Sequence, residues 1–409
     1  MLEHYLDSPI TRRRLRSGPA ADHINDFADW LHTGGYRRPI IVRRLRSLAC
    51  WTDWLTATGD NLDLPEALER YAAYIGAPPR KSYRRSLNKE PVIAGKLYIQ
   101  FLREREFLPP APAAVVNSCP LLTEAYDWMR EQRGLTEATL DTYRRVLEEL
   151  LTSLGSDTRS YQAEALRTFV VARGKRHGVS YAKLGATAVR TFVRFLAATG
   201  RCSAGLEYAI PMWRSWVFSS TPKYLSPEDV DRVIRASADS RSGIRDTAMI
   251  LLLARLGLRA GDIAGLHMTH IDWKNARILV SGKSKRQEYL PLSQEVGTAL
   301  LQYLRTSRPA VRIAELFVTA SPPFRRIKRQ SVAGVVRRAI FRAGVSSPGH
   351  GAHVLRHSAA TTMLRQGVSL AGIGAVLRHR LPSTTAHYAK VDLQSLVAVA
   401  QPWPEVTSC

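Results

Sequence analysis

The sequence predicts a mainly α-helical protein: two similar helical copies toward the N-terminus, then an α-rich domain carrying a small antiparallel β-sheet. Three observations lead there. Most of the 409 residues fall in stretches whose apolar side chains recur at three- and four-residue spacing, the period of a helix packed on one face. Strand-like alternation is concentrated in ARILVSGKSKRQEYLPL, where apolar runs flank a basic turn at residues 282–286. The chain also resembles itself. GGYRRPIIVRRLRSLACWTDWL aligns with RGLTEATLDTYRRVLEELLTSL at an offset of 99, and VIAGKLYIQFL with TAVRTFVRFLA at an offset of 94. These alignments pair Ile41 with Leu140, Leu48 with Leu147, Leu55 with Leu154, Tyr98 with Phe192 and Phe101 with Phe195.

In chain order, residues 1–20 hold the basic cluster TRRRLRSGP, which reads either as a solvated tail or as an arm tracking nucleic-acid phosphates. Helical patterns follow over Asp26–Leu31, Ile40–Leu55, Leu64–Ile75 and Val92–Leu102, with a basic loop at 78–85. Proline density in LPPAPAAVVNSCP, residues 108–120, marks a linker, and residues 121–215 are helical again. A second linker spans roughly Trp216–Tyr224. In SPEDVDRVI, Ser226 is placed to cap a helix, Pro227 fits its first position, and acidic residues suit its first turn. A hydrophobic helix ends by Leu256, a β-hairpin turns around Gly282–Arg286, and helices near Gln294–Arg305 and Arg329–Ala343 follow. The last helical patterns run through Leu355, Ala359, Met363 and Leu364 to a stop at Gly367, then over Ser369–Leu377. DLQSLVAVA, before QPWPEVTSC, is a short amphipathic candidate, docking on its own domain or on a neighbouring subunit. The expected domains are 1–113, 114–216 and 217–409.

Composition narrows the partner. Lys and Arg number 59 against 35 Asp and Glu, giving a net charge of +24 and a pI near 10.4, which favours a polyanion held through counterion release. An acidic membrane surface would require a basic amphipathic anchor or a lipidation signal, and the sequence offers neither. The longest apolar run, AMILLLA, is too short to span a bilayer, and MLEHYLDSPI lacks the layout of a secretory signal. Cys50, Cys119, Cys202 and Cys409 are scattered without metal-ligand or disulfide-like spacing, as expected in a reducing cytoplasm.

The chemistry concentrates in HGAHVLRHSAATTMLRQGVSLAGIGAVLRHRLPSTTAHYAKV, residues 350–391. His353 and Arg356 stand three apart, on one face if helical, and nine residues beyond His379 comes Tyr388. Guanidinium forks bind phosphate oxygens, imidazoles shuttle protons near neutrality, and a phenol can form a phosphoryl ester. His353 and His357 at i, i+4 lack the acidic base and third ligand of a zinc site. No phosphate-binding glycine loop or carboxylate cluster for paired metals is present, so no cofactor is expected.

Upstream, LGLRAGDIAGL supplies Arg259 and Asp262, and 24 residues after Arg259 comes Lys283. In this order the residues resemble the tyrosine recombinases, or phage integrase family, whose motif reads Arg, Lys, His-x-x-Arg, His or Trp, then Tyr. Arg259, Lys283, His353, Arg356, His379 and Tyr388 fall on it, and the words GLR, HxLRHSxAT and TTxxYAKV match, over roughly Tyr224–Val391. The resemblance implies Tyr388 as nucleophile, Arg259 and Arg356 on the scissile phosphate, and His353 as proton acceptor. It further implies a phosphate hydrogen bond from His379, protonation of the leaving 5′ oxygen by Lys283, and Asp262 orienting the cations.

By the same resemblance residues 114–216 clamp DNA, with Arg144, Arg145, Arg286 and Arg378 as further DNA contacts. The first copy is extra: it binds additional DNA, joins subunits, or packs on its neighbour. A tetramer on two duplexes, possible sister recombinases and a mobile-element role are also implied, the last by the tail AKVDLQSLVAVAQPWPE. The rival activities are relaxation by a type IB topoisomerase and DNA binding by a non-catalytic subunit. One residue departs from the pattern. Where the family carries Gly before the second histidine, this chain has Arg378, which contacts DNA or shifts the turn.

Overall fold

The computed structural model describes residues 1–59, 63–76, 89–110, 119–213, 221–281, 287–391 and Val397. The chain divides into two compact units, one formed by residues 1–109 with 220–409 and the other by residues 110–219. The expected boundaries at 113/114 and 216/217, the basic loop at 78–85, the hairpin turn, most of the C-terminal helix candidate and Cys409 lie outside the described residues.

The N-terminal basic stretch is not a tail. Residues Leu2–Tyr5 form α1 and Pro9–Ser17 form α2, capped by Ser8, whose hydroxyl accepts from the Thr11 N–H at 3.3 Å. Leu2, Leu6 and Leu15 are fully or almost fully buried in the first core. These spaced apolar residues are what the run of arginines obscured in the sequence. Helices α3 (Ile24–Thr33), α4 (Arg38–Thr58), α5 (Leu64–Gly76) and α6 (Glu90–Glu104) complete that core around Trp51, Tyr98 and Phe101.

The 110–219 unit repeats the layout with α7 (Pro120–Arg133), α8 (Glu137–Leu154), α9 (Ala163–His177) and α10 (Val179–Ala198). Burial follows the duplication. Ile24, Phe27, Ala28 and Leu31 of α3 match Leu122, Ala125, Tyr126 and Met129 of α7 at a constant offset of 98, all buried. Ala94, Gly95, Tyr98, Ile99, Phe101 and Leu102 of α6 match Ala188, Val189, Phe192, Val193, Phe195 and Leu196 of α10 at an offset of 94. Each α10 residue in that series is at most 2 % exposed.

Within residues 220–409, α11 (Pro227–Ala238) begins as expected, with the Ser226 hydroxyl accepting from the Asp229 N–H at 3.1 Å. The apolar α12 (Gly243–Ala254) is the centre of the largest core, buried from Ala248 through Ala254. After α13 (Ala260–Ala264) comes an antiparallel sheet of three strands, β1 (Ile271–Asp272), β2 (Arg277–Ser281) and β3 (Gln287–Pro291), in the order β1-β2-β3. Ile278 faces Ile271 on one side and Leu290 on the other, and all three are buried. β1 is two residues long, too short for alternation to reveal it in the sequence. Helices α14 (Gln294–Gln302) and α15 (Arg329–Arg342) flank the core.

The last elements are α16 (Ala352–Arg365), α17 (Leu370–Leu377), α18 (Pro382–Ala386) and a 3-10 turn, His387–Val391. Gly367, at φ +81, ends α16 in the left-handed conformation that suits glycine. Among the described residues, no helix is long and apolar enough to cross a membrane.

Phe192 is fully buried in the core of the 110–219 unit, apart from the core around α12. Phe192→Ala is expected to cost that unit about 3–5 kcal/mol. In chemical denaturation its transition shifts to lower denaturant while the transition of the α12 core stays in place.

Candidate active site

The site is assembled by a buried arginine. Arg356, one turn into α16, is 4 % exposed and donates Nη1 to the Gly257 carbonyl and Nη2 to the Leu377 carbonyl. Gly257 lies two residues before Arg259, and Leu377 two residues before His379, so one side chain fixes both approaches. Burial, then the nearby Arg259, pulls the Arg356 pKa down to about 10, which still leaves it cationic at neutral pH. Gly257 has φ +60, and a Cβ there would lie 2.5 Å from Leu377 Cδ2, so only glycine fits.

Arg259 precedes α13 and is half-buried. Its backbone N–H donates to Asp262 Oδ2 at 2.9 Å, and its Nη2 to the Arg378 carbonyl at 3.3 Å. Together with His379 it lines a cleft of about 1650 Å³ bordered by Glu288, Arg378, Arg380 and Thr385. His379 Nδ1 is 2.7 Å from Thr385 Oγ1. Burial first, then Arg356, Arg259 and His357, takes the His379 pKa to about 4.

Tyr388 is 2 % exposed, its ring parallel to that of His379 with centroids 6.2 Å apart. Burial raises the pKa of its phenol, opposed by Arg356 and Arg259. The hydroxyl is hydrogen-bonded to His357 Nδ1 at 2.8 Å, and not to His353, the partner that the resemblance implied. His357 stands one residue past Arg356, outside the six-part motif. Its signal in the sequence is its place in the matched word HxLRHSxAT and its i, i+4 spacing from His353. Burial, then His353, His387 and Arg356, lowers the His357 pKa to about 4, so the ring is neutral at physiological pH and has one nitrogen able to accept a proton. His353 is exposed on the same helix, its ring 6.3 Å from that of His357. What burial His353 has, followed by Arg356, Arg259 and Arg329, lowers its pKa.

Arg259, His353, Arg356, His379 and Tyr388 thus lie within one electrostatic neighbourhood, while Lys283 and Arg286 fall outside the described residues. Arg378, expected at the DNA surface, instead turns its side chain inward onto Asp262. In the other unit Arg145 is exposed, whereas Arg144 is half-buried, 5.7 Å above the Tyr126 ring and 3.7 Å from Asp141. Among the described residues, no group of three or more His, Cys, Asp or Glu side chains is placed to hold a metal ion.

A family model described as the phage integrase family matches residues 223–395. A Sinorhizobium fredii protein assigned as an integrase/recombinase, y4rA, is 34 % identical over 414 residues, covering 98 % of this chain and 99 % of the relative. The chain belongs to the phage integrase family, the tyrosine recombinases. The tyrosine recombinase XerC of Lactobacillus delbrueckii subsp. bulgaricus is 29 % identical, over 56 % of this chain and 79 % of that one. Among solved structures, the XerH site-specific recombinase bound to a palindromic difH substrate covers 85 % of this recombinase and 99 % of its own chain, with a TM-score of 0.51 and 18 % identity. A lambda integrase dimer on a COC′ core site gives a TM-score of 0.53 at 16 % identity, over 65 % of this chain and 93 % of that one. At such identities these likenesses speak for the fold.

Gly257→Ala forces a side chain into a left-handed backbone and against Leu377, and should destabilise the recombinase by about 2–4 kcal/mol in denaturant titration. His357 and His379 should also make the fold acid-sensitive. Both pKa values, about 4, lie below that of an exposed imidazole at roughly 6.5, so the unfolded chain binds more protons between these limits. Stability is complete at neutral pH and is lost as pH falls through that window. The unfolding midpoint should drop between pH 6.5 and 4, and less steeply in His357→Gln and His379→Gln.

Proposed function

We propose that this recombinase cuts and rejoins DNA strands at specific sites through a 3′-phosphotyrosyl intermediate and so mobilises a genetic element. The observation that carries the reading is the gathering of Arg259, Arg356, His357 and His379 around the Tyr388 phenol, with His353 beside His357. A scissile phosphate entering the cleft meets the Arg259 guanidinium, with Arg356 behind it. The two cations stabilise the charge that builds on the pentacoordinate phosphorus. The Tyr388 oxygen attacks phosphorus, the bond to the 5′ oxygen breaks, and Lys283 donates a proton to that oxygen. The phenol proton leaves to an imidazole: His357 is hydrogen-bonded to the phenol in the resting site, and His353 is the candidate acceptor once the phenol faces the cleft. His379 donates a hydrogen bond to the phosphate. Tyr388 is 2 % exposed, so residues 382–391 move outward as DNA enters.

The assignment of residues 1–113 as an additional helical domain, 114–216 as a DNA clamp and 217–409 as the catalytic domain belongs to this proposal. So do DNA contacts from Arg144, Arg145 and Arg286, a tetramer joining two duplexes with possible sister recombinases, and action in the bacterial cytoplasm. Charge supports DNA as the partner. Residues 220–409 carry 27 Lys and Arg against 12 Asp and Glu. The mobile-element reading is supported by end-to-end similarity to proteins of Sinorhizobium fredii assigned as integrase/recombinases.

A nicked suicide duplex of the target site, from which the cut fragment diffuses away, should trap the protein covalently. Tyr388→Phe should give no adduct, and Arg259→Ala or Arg356→Ala should slow trapping by about 10²–10³-fold. Relaxation of supercoils with no joined products between two marked duplexes would instead identify a topoisomerase.

A further inference from the structure

Arg378 stands where the family pattern has glycine, and the backbone there still takes a glycine-like conformation, φ +54 and ψ 53. A non-glycine residue held in this disfavoured region calls for an explanation from its side chain. The Arg378 side chain is 4 % exposed and donates Nη2 to Asp262 Oδ2, a carboxylate whose side chain is 7 % exposed. The same Oδ2 accepts the Arg259 backbone N–H, and Arg259 Nη2 donates to the Arg378 carbonyl. Three residues therefore close a ring around Arg259.

The electrostatics give the ring its purpose. A buried carboxylate beside Arg259 would offset the charge that has to meet a DNA phosphate, and little water is available to screen it. With Arg378 present, Asp262 is balanced and the Arg259 charge is available. Only one Arg378 nitrogen is engaged, because Nε and Nη1 are buried without hydrogen-bond partners. An ion pair so incompletely satisfied is a poor stabiliser of the fold.

We propose that Arg378 is a positioning residue for strand cleavage: by neutralising Asp262 it holds the Arg259 guanidinium aimed into the cleft with its full charge for a phosphate. The proposal rests on the strand-cutting reading above. In this arrangement the backbone strain at residue 378 is tolerated for the sake of the side chain, and glycine there would relieve the strain but leave Asp262 unbalanced.

The test uses full-length protein, a nicked suicide duplex at saturating concentration, and separate titration of duplex affinity. Arg378→Gly is expected to slow covalent trapping by about 30-fold, with duplex affinity within about threefold of the parent and an unfolding midpoint that is unchanged or higher. Arg378→Lys keeps a cation and should recover part of the rate. Asp262→Asn introduced into the Arg378→Gly protein removes the unbalanced charge while keeping an acceptor for the Arg259 N–H, and should recover at least about tenfold. The proposal falls if Arg378→Gly traps at the parental rate, if its slowing is matched by a lowered unfolding midpoint, or if the double variant is no faster than Arg378→Gly. A parent protein that binds duplex but never traps would overturn the strand-cutting reading and this one with it. A parent that traps normally alongside an equally fast Arg378→Gly overturns this one alone.

Discussion

The hydrogen bonds from the Arg356 guanidinium to the carbonyls of Gly257 and Leu377 are the constraint on which the rest of the site depends. A cation removed from water is costly unless its donors find partners, and main-chain carbonyls supply them without adding a neutralising charge. The fork therefore stays cationic while it joins segments about a hundred residues apart in sequence. Every other site group is placed relative to these anchors: Arg259 by the turn after Gly257, His379 by the end of α17, and His353 and His357 by α16 itself.

That arrangement sets the protonation of its neighbours. Burial disfavours imidazolium first, reinforced by His353, His387 and Arg356 at His357 and by Arg356, Arg259 and His357 at His379, so both rings are neutral well below physiological pH. Burial opposes phenolate, while the same cations favour it. The Tyr388 phenol is thus held out of water beside a neutral imidazole. In the proposed reaction, neutralising the phosphate and exposing the nucleophile are linked events, because both involve the segment that carries His379, Thr385 and Tyr388.

The duplicated helices show how different sequences reach one core. α3 and α7 share no pattern of residue types, yet they bury the same four positions. α6 and α10 agree more closely, with aromatic residues paired at Tyr98 and Phe192 and at Phe101 and Phe195. What is preserved is the period of burial, which packing requires, while the exposed faces are free to diverge.

The periodicity of apolar residues determined most of the helices, since each must bury one face whatever its neighbours. The ordered Arg, His-x-x-Arg, His and Tyr residues identified the family, and the fold brings Arg259, His353, Arg356, His379 and Tyr388 into one neighbourhood. The short β1 and the burial of residues 1–20 were not legible, the first because two residues carry no period, the second because arginines outnumber the three leucines that anchor the segment. Tertiary structure alone decided the partners. That Tyr388 meets His357, that Arg378 turns onto Asp262 in a glycine-like backbone, and that Arg356 spends its donors on carbonyls all depend on distances between chain segments far apart in sequence. Spacing along a chain sets which face a side chain takes, and only folding sets what that face meets.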